Sequence, residues 1–278
     1  MKAITSLDLQ KMKASNKKIV MVTAYDYTMA KMVDTAGVDM VLVGDSLGMV
    51  FQGHDDTLSV TMEDMVYHGK CVSRALKRAH LTVDMPFMSY QVSVEQALEN
   101  AGRLVKTAGA QSVKLEGGAR TVPMISAIVQ AGIPVVGHLG LTPQSLHAIG
   151  GFRVQGRTEP ARNELIDDAL RIQEAGAFAL VLEMIPADLA GEISSQLRIP
   201  TIGIGAGIAC DGQVLVCNDL LGMDLSFTPR FLKRYATLEK TMTEALAAYA
   251  DDVRQGRFPG PENSFGLKST SAKIARLY

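Results

Sequence analysis

The sequence has no tryptophan, and aromatic residues make up only 5% of its 278 positions. Cysteine is nearly as scarce. Cys71, Cys210 and Cys217 form neither a disulfide framework nor a CxxC metal knuckle, and read as reduced, buried thiols. An excess of either charge is also missing: 28 Lys and Arg against 29 Asp and Glu leave a formal charge of −1. Such a balance offers no electrostatic footprint for nucleic acid or for an anionic membrane surface. No apolar run approaches the ~20 residues of a membrane span. The first 18 residues, MKAITSLDLQKMKASNKK, lack the apolar core of a secretion signal. A cytoplasmic location is therefore expected. The five histidines include no HExxH and no tight cluster, which argues against zinc.

What is present is an ordinary globular composition, 47% hydrophobic and 21% charged, which excludes extended disorder as the main state. One unit recurs. A helical stretch ends in Ala-Gly, a few residues pass, and a short β-branched run ends in a polar residue: DTAG-VDMVLVGD, KTAG-AQSVKLE, QAG-IPVVGH and EAG-AFALVLE. Gly37, Gly109, Gly132 and Gly176 suit the residue after a helix, where the backbone turns left-handed. The runs are apolar on both faces, as buried parallel strands are. Strands are also expected at 19–26, 81–87 and 199–207, with an eighth near 213–222. Alternating βα units of this length imply a parallel sheet, and seven or eight of them in ~250 residues point to a single-domain (β/α)8 TIM barrel of the α/β class. An open doubly wound sheet is the alternative, but its Gly-rich first turn is absent: the segment here reads AYDYTMA.

The barrel domain is expected over 1–265, with 266–278 as a polar tail. Thr61-Met-Glu-Asp64 resembles a capping box and Ser93-Val-Glu-Gln96 matches one. Residues 141–163 form a long Gly-containing stretch of the kind that serves as a lid over a barrel mouth. A last helix is expected around 237–255.

Barrel enzymes carry their reacting groups at the C-terminal ends of strands. Here those ends hold Asp45, Asp84, Glu116, His138 and Glu183. Side chains alternate faces along a strand, so Lys114 shares a face with Glu116, Val181 with Glu183, and Asp45 with Val43 and Val41. Singly, each has a plainer reading. A strand-end carboxylate is often the N-cap of the next helix, Lys114 could be a satisfied ion pair, and His138 a hydrogen-bonded structural histidine. Four carboxylates at successive strand ends are harder to dismiss, because crowded together they repel. A hard divalent ion such as Mg²⁺ relieves that repulsion through oxygen ligands. The GxGxG at Gly203, Gly205 and Gly207 reads either as close backbone packing or as a wall against a ligand.

Longer motifs carry a resemblance. VTAYDYTMAKMVDTAGVDMVLVGDSLGMVFQGHDDTLSVTMEDMVYH (22–68) is similar to the ketopantoate hydroxymethyltransferase family. Further matches are DMPFMSY (84–90), GAQSVKLEGG (109–118), VVGHLGLTPQS (135–145), GGFRVQGR (150–157), LVLEMIP (180–186), IPTIGIGAG (199–207), CDGQVLVCNDLLG (210–222) and FTPRFLKRY (227–235). The resemblance spans about 3 to 265; Ser59 stands where members usually carry Pro, and Asn218 where His is common.

The resemblance implies a (β/α)8 barrel that transfers a hydroxymethyl group from 5,10-methylenetetrahydrofolate to 3-methyl-2-oxobutanoate. The products are 2-dehydropantoate and tetrahydrofolate, on the route to pantothenate. It implies Mg²⁺ at Asp45, Asp84 and Glu116, keto acid at Asp45, Ser46, Asp84 and Lys114, and Glu183 as proton acceptor. His138, at its own strand end, is expected beside them as a substrate contact. It also implies a homodecamer of two pentameric rings. Three other readings stay open on the residues: a metal-dependent lyase of the isocitrate lyase type, a Schiff base on Lys114, and a non-catalytic ligand-binding barrel.

Overall fold

A computed structural model describes residues 2–226 and 228–265; the expected tail at 266–278 lies outside the described residues. Eight parallel strands close into a barrel in chain order, which excludes the open sheet. They are β1 (Ile19–Thr23), β2 (Met40–Val43), β3 (His80–Asp84), β4 (Ser112–Glu116), β5 (Val135–Gly140), β6 (Ala179–Glu183), β7 (Thr201–Ile204) and β8 (Gly212–Leu215). Closure is made by β1 and β8, which pair Ile19 with Gly212 and Val22 with Leu215. All four repeat glycines adopt the left-handed backbone expected of them, with φ between 79° and 100°. The expected last helix is Leu238–Arg254.

Two apolar cores follow from the alternation of strand residues. Inside the barrel, Met21, Met40, Leu42, Val136, Val181 and Ile202 pack together, and Leu9 and Met12 join them from the N-terminal helix Ser6–Ala14. That helix, held by a complete Thr5–Asp8 capping box, plugs the barrel at the end where the strands begin. Outside, Val41, Val43, Leu81, Val83, Leu115 and Leu180 pack against the surrounding helices. At ~25 cal/mol per Å² of apolar surface removed from water, these two layers supply the main driving force for closure.

Local capping follows the sequence closely. Thr61 and Asp64 complete a capping box for the helix Met62–Ser73. Ser93 caps Val94–Arg103 through the Gln96 N–H, but the Gln96 side chain accepts from the Val92 N–H at 3.3 Å rather than from Ser93, so that box is half formed. The long stretch after β5 is shorter as a loop than its sequence implies. It contains a turn at Pro143–Ser145 and a helical turn at Leu146–Ile149, and the next helix already begins at Glu159. The GxGxG lies in tight packing: a Cβ at Gly207 would meet the Ala187 Cβ at 2.4 Å, and one at Gly203 the Cys210 Sγ at 2.9 Å. Cys210 and Cys217 are buried thiols, whereas Cys71 is only half-buried.

Candidate active site

Strand register sets the upper mouth of the barrel. β3 and β4 pair Asp84 with Lys114, and β4 and β5 pair Glu116 with His138. β5 and β6 pair His138 with Val181 and Gly140 with Glu183, so Glu183 stands one inward layer above His138. The consequence is visible in solvent contact: the Glu183 side chain is 17% exposed, while those of Lys114, Asp84, Glu116 and His138 are 5% or less. Gly140 makes this arrangement possible. Its φ of 94° is left-handed, and a Cβ there would meet the Glu183 carbonyl oxygen at 2.1 Å. Met184 follows with a φ of 46°, a left-handed non-glycine residue beside the candidate base.

Asp45 reaches the mouth by a route other than simple alternation. Val41 and Val43, which should share its face, lie in the outer core. The strand ends at Val43, and the chain turns at Gly44 before Asp45. A Cβ at Gly44 would meet Ser46 Oγ at 2.8 Å and Asp84 Oδ2 at 3.4 Å. The turn aims the Asp45 N–H at Asp84 Oδ2, at 3.1 Å. Ser46 is at the side of the group, its hydroxyl 2.9 Å from the Tyr25 hydroxyl. None of Asp45, Glu116 or Glu183 caps the helix that follows it.

The charges form one buried system. Lys114 Nζ lies 3.1 Å from Asp84 Oδ1 and 3.9 Å from Glu116 Oε1. The first contact falls outside hydrogen-bond geometry, which leaves Asp84 Oδ1 buried without a hydrogen-bond partner. His138 Nδ1 is 3.2 Å from Glu116 Oε1, and its Nε2 is 3.2 Å from Glu183 Oε2, again off the hydrogen-bond line. Burial, then the negative charges of Asp84 and Glu116, push the Asp45 carboxyl well above its ordinary range. Burial also raises Asp84, against the pull of Lys114. Burial opposes the Lys114 ammonium, but Asp84, Glu116 and Asp45 together hold it above its usual value. Glu116 is kept low because His138, Lys114 and the Gln144 N–H outweigh burial.

The donor set at the mouth is one of hard oxygen groups. Asp45, Asp84, Glu116 and Glu183 face two cations, Lys114 and His138, so full ionisation leaves two negative charges buried at the mouth. A dication matches that remainder, and Asp84 Oδ1 is an orphaned hard donor inside it. Among the described residues, no three His, Cys, Asp or Glu side chains converge on one metal position as they stand. Mg²⁺ makes no such demand: it commonly takes one or two carboxylates and completes its octahedron with waters and substrate oxygens. The residues therefore fit the ion in chemistry and in charge.

Sequence reasoning missed two members of the site. Gln144 and Tyr90 are buried against the carboxylates, and both lie off the strands. Both fall within motifs of the resemblance, but nothing in their spacing marks them. A surface cleft of 380 Å³ lies beside β3, between Leu58–Glu63 and Pro86–Ser89; none of the strand-end groups lines it.

A family model described as ketopantoate hydroxymethyltransferase matches residues 3–261. The 3-methyl-2-oxobutanoate hydroxymethyltransferase of Pelobacter propionicus is 55% identical over 264 residues, covering 95% of this chain and 98% of that one. The protein of the same name from Enterococcus faecalis is 53% identical over 274 residues, 99% of each chain. Among solved structures, 2,3-dimethylmalate lyase, a member of the PEP mutase/isocitrate lyase superfamily, superposes with a TM-score of 0.59 at 16% identity over 97% of this chain and 93% of that one. Phosphonopyruvate hydrolase in complex with oxalate and Mg²⁺ superposes with a TM-score of 0.60 at 12% identity over 94% and 93% of the two chains. Those two likenesses establish the barrel fold alone. The sequence match over nearly the whole chain goes further: this chain belongs to the ketopantoate hydroxymethyltransferase family of enzymes.

Proposed function

We propose that the protein transfers a hydroxymethyl group from 5,10-methylenetetrahydrofolate to 3-methyl-2-oxobutanoate, giving 2-dehydropantoate and tetrahydrofolate. The observation that carries this reading is the division of labour at the mouth. Asp45, Asp84, Glu116 and Lys114 form the buried charged group, while Glu183 stands one layer higher, partly open to solvent. A carboxylate in that position can accept the proton from C3 of the keto acid, leaving an enolate that attacks the methylene carbon carried by the folate. Both C–N bonds that hold the methylene carbon break, water supplies its hydroxyl, and the two folate nitrogens take up the proton from C3 and the second proton of water.

Asp45, Asp84 and Glu116 are the residues that would hold Mg²⁺, which supplies Lewis-acid charge to the keto acid's oxygens worth several kcal/mol. Lys114, whose ammonium the neighbouring carboxylates favour, would offer it to the substrate carboxylate, with Ser46 and His138 as further substrate contacts. His138 Nε2 lies 3.2 Å from Glu183 Oε2, beside the carboxylate that would accept the proton. A Lys114 ammonium held above its usual value by three carboxylates is a poor nucleophile, which disfavours a Schiff base. A homodecamer of two pentameric rings and a cytoplasmic location belong to the same reading. The helix Leu238–Arg254 has no buried residue and exposes Met242, Leu246, Tyr249 and Val253 along one stripe, a surface that subunit contacts of some kind could cover.

The test is an assay of the full chain with both substrates, with and without chelator, run beside deuterium exchange at C3 of the keto acid alone. Mg²⁺-dependent formation of 2-dehydropantoate and folate-independent exchange are expected. Schiff-base trapping by borohydride, or binding without exchange, would defeat the proposal.

A further inference from the structure

Gln144 sits in the turn Pro143–Ser145 beyond β5, and its amide has a partner in every direction. Nε2 donates to Asp45 Oδ2 at 2.8 Å and to the Met85 carbonyl at 2.9 Å. Oε1 accepts from the Tyr90 hydroxyl at 2.7 Å and from Gln91 Nε2 at 3.1 Å. The main-chain N–H of Gln144 donates to Glu116 Oε2 at 3.0 Å. The Tyr90 oxygen in turn accepts the Glu116 N–H at 3.1 Å. A flipped amide would set Oε1 against two acceptors, Asp45 Oδ2 and the Met85 carbonyl, and would set Nε2 against the Gln91 amide. Only one orientation satisfies the site.

We infer that Gln144 is a positioning residue for the metal ligands, fixing Asp45 through its side chain and Glu116 through its main chain, with Tyr90 locking the amide as a donor. This rests on the metal reading above. The physical need is plain. Carboxylates on different strands repel in a buried space and would turn apart to separate donors. One neutral residue that donates to two of them holds both without adding charge to the cluster. Outer groups of this kind typically set metal affinity by about 10- to 100-fold.

The test uses Mn²⁺ as the probe, titrated into the purified full chain without substrates, with free Mn²⁺ read by electron paramagnetic resonance. Gln144→Met keeps length and the main-chain N–H to Glu116 but removes all four side-chain amide contacts. Tyr90→Phe removes only the hydroxyl. Gln144→Met is expected to weaken Mn²⁺ binding about 10- to 100-fold, and Tyr90→Phe to weaken it by a smaller factor. A purely structural role would lower the melting temperature and leave the affinity of the folded protein untouched; wild-type affinity in both variants overturns the inference. Should Gln144→Met not fold, Tyr90→Phe decides by the same criterion. A wild-type chain that takes up no Mn²⁺ overturns the metal reading, and this inference with it. A wild type that binds Mn²⁺ beside variants that bind it equally well overturns this inference alone.

Discussion

His80 and His138 point into the same barrel and are equally buried, at 2% and 3% exposure, yet they sit on opposite sides of neutrality. His80 lies at the plugged end. Its Nε2 meets Ser112 Oγ at 2.9 Å, its Nδ1 the Ile4 carbonyl at 3.3 Å, and its ring packs edge-on against Phe178. No carboxylate is among those contacts, so burial dominates and pushes the imidazole down to about 4. His138 lies at the open end. Burial and Lys114 pull it down, but Glu116 and Glu183 on its two nitrogens raise it to about 9. Depth therefore does not decide charge in this barrel; the neighbours supplied by adjacent strands do. The lower half is a neutral, hydrogen-bonded floor, and the upper half is a charged site built on the same strands.

The largest expected effect that sharpens this contrast is at Glu183. Glu183→Gln keeps shape and removes the basic oxygen, so turnover should fall roughly 10²- to 10⁴-fold. Deuterium exchange without folate should fall in parallel, and Mn²⁺ affinity should stay at wild type. Exchange at the wild-type rate would assign Glu183 another role.

Next comes pH dependence in the metal-stripped protein, followed by histidine ring resonances. His80 is lowered from 6.5 to about 4, so the unfolded chain takes its proton first. Its contribution is fully present above pH 6.5 and is lost as pH falls toward 4, by roughly 3 kcal/mol. His138 has the opposite sign: raised from 6.5 to about 9, it stabilises below 6.5 and loses that contribution as pH rises through 9. Two histidines titrating together near 6.5 would erase the comparison.

A smaller effect is expected at Ser112, whose Oγ joins His80 Nε2 to Thr82 Oγ1 at 2.9 and 2.8 Å. Ser112→Ala leaves His80 without that partner and should cost about 1–3 kcal/mol of stability in denaturant titration. Mn²⁺ affinity and turnover should be unchanged, because the floor does not touch the site. Lost activity at full stability would join the two halves that the structure separates.

The order of βα units was legible because its signals are local. A helix ending in Ala-Gly and a short β-branched run each declare themselves within a few residues, and seven or eight such units without a Gly-rich first turn point to a closed barrel rather than an open sheet. Lys114, Glu116 and Glu183 face the barrel mouth, as the alternation of their own strands implies. Asp45 was aimed correctly for the wrong reason, since the turn at Gly44 breaks the period that was extended through it. Within the stretch 141–163, the turn Pro143–Ser145 reaches the charged group through the Gln144 N–H, a contact that nothing in the spacing of the sequence marks.

What the sequence by itself determined is the barrel and the set of chemical groups at its strand ends, because propensity, period and turn chemistry act between near neighbours. Tertiary structure alone decided how those groups are charged and held. Gln144 and Asp45 are 99 residues apart, and His138 meets Glu116 across 22. A hydrogen bond or an ion pair depends on distance in space, and only the assembled barrel brings these residues to 2.8 and 3.2 Å from one another.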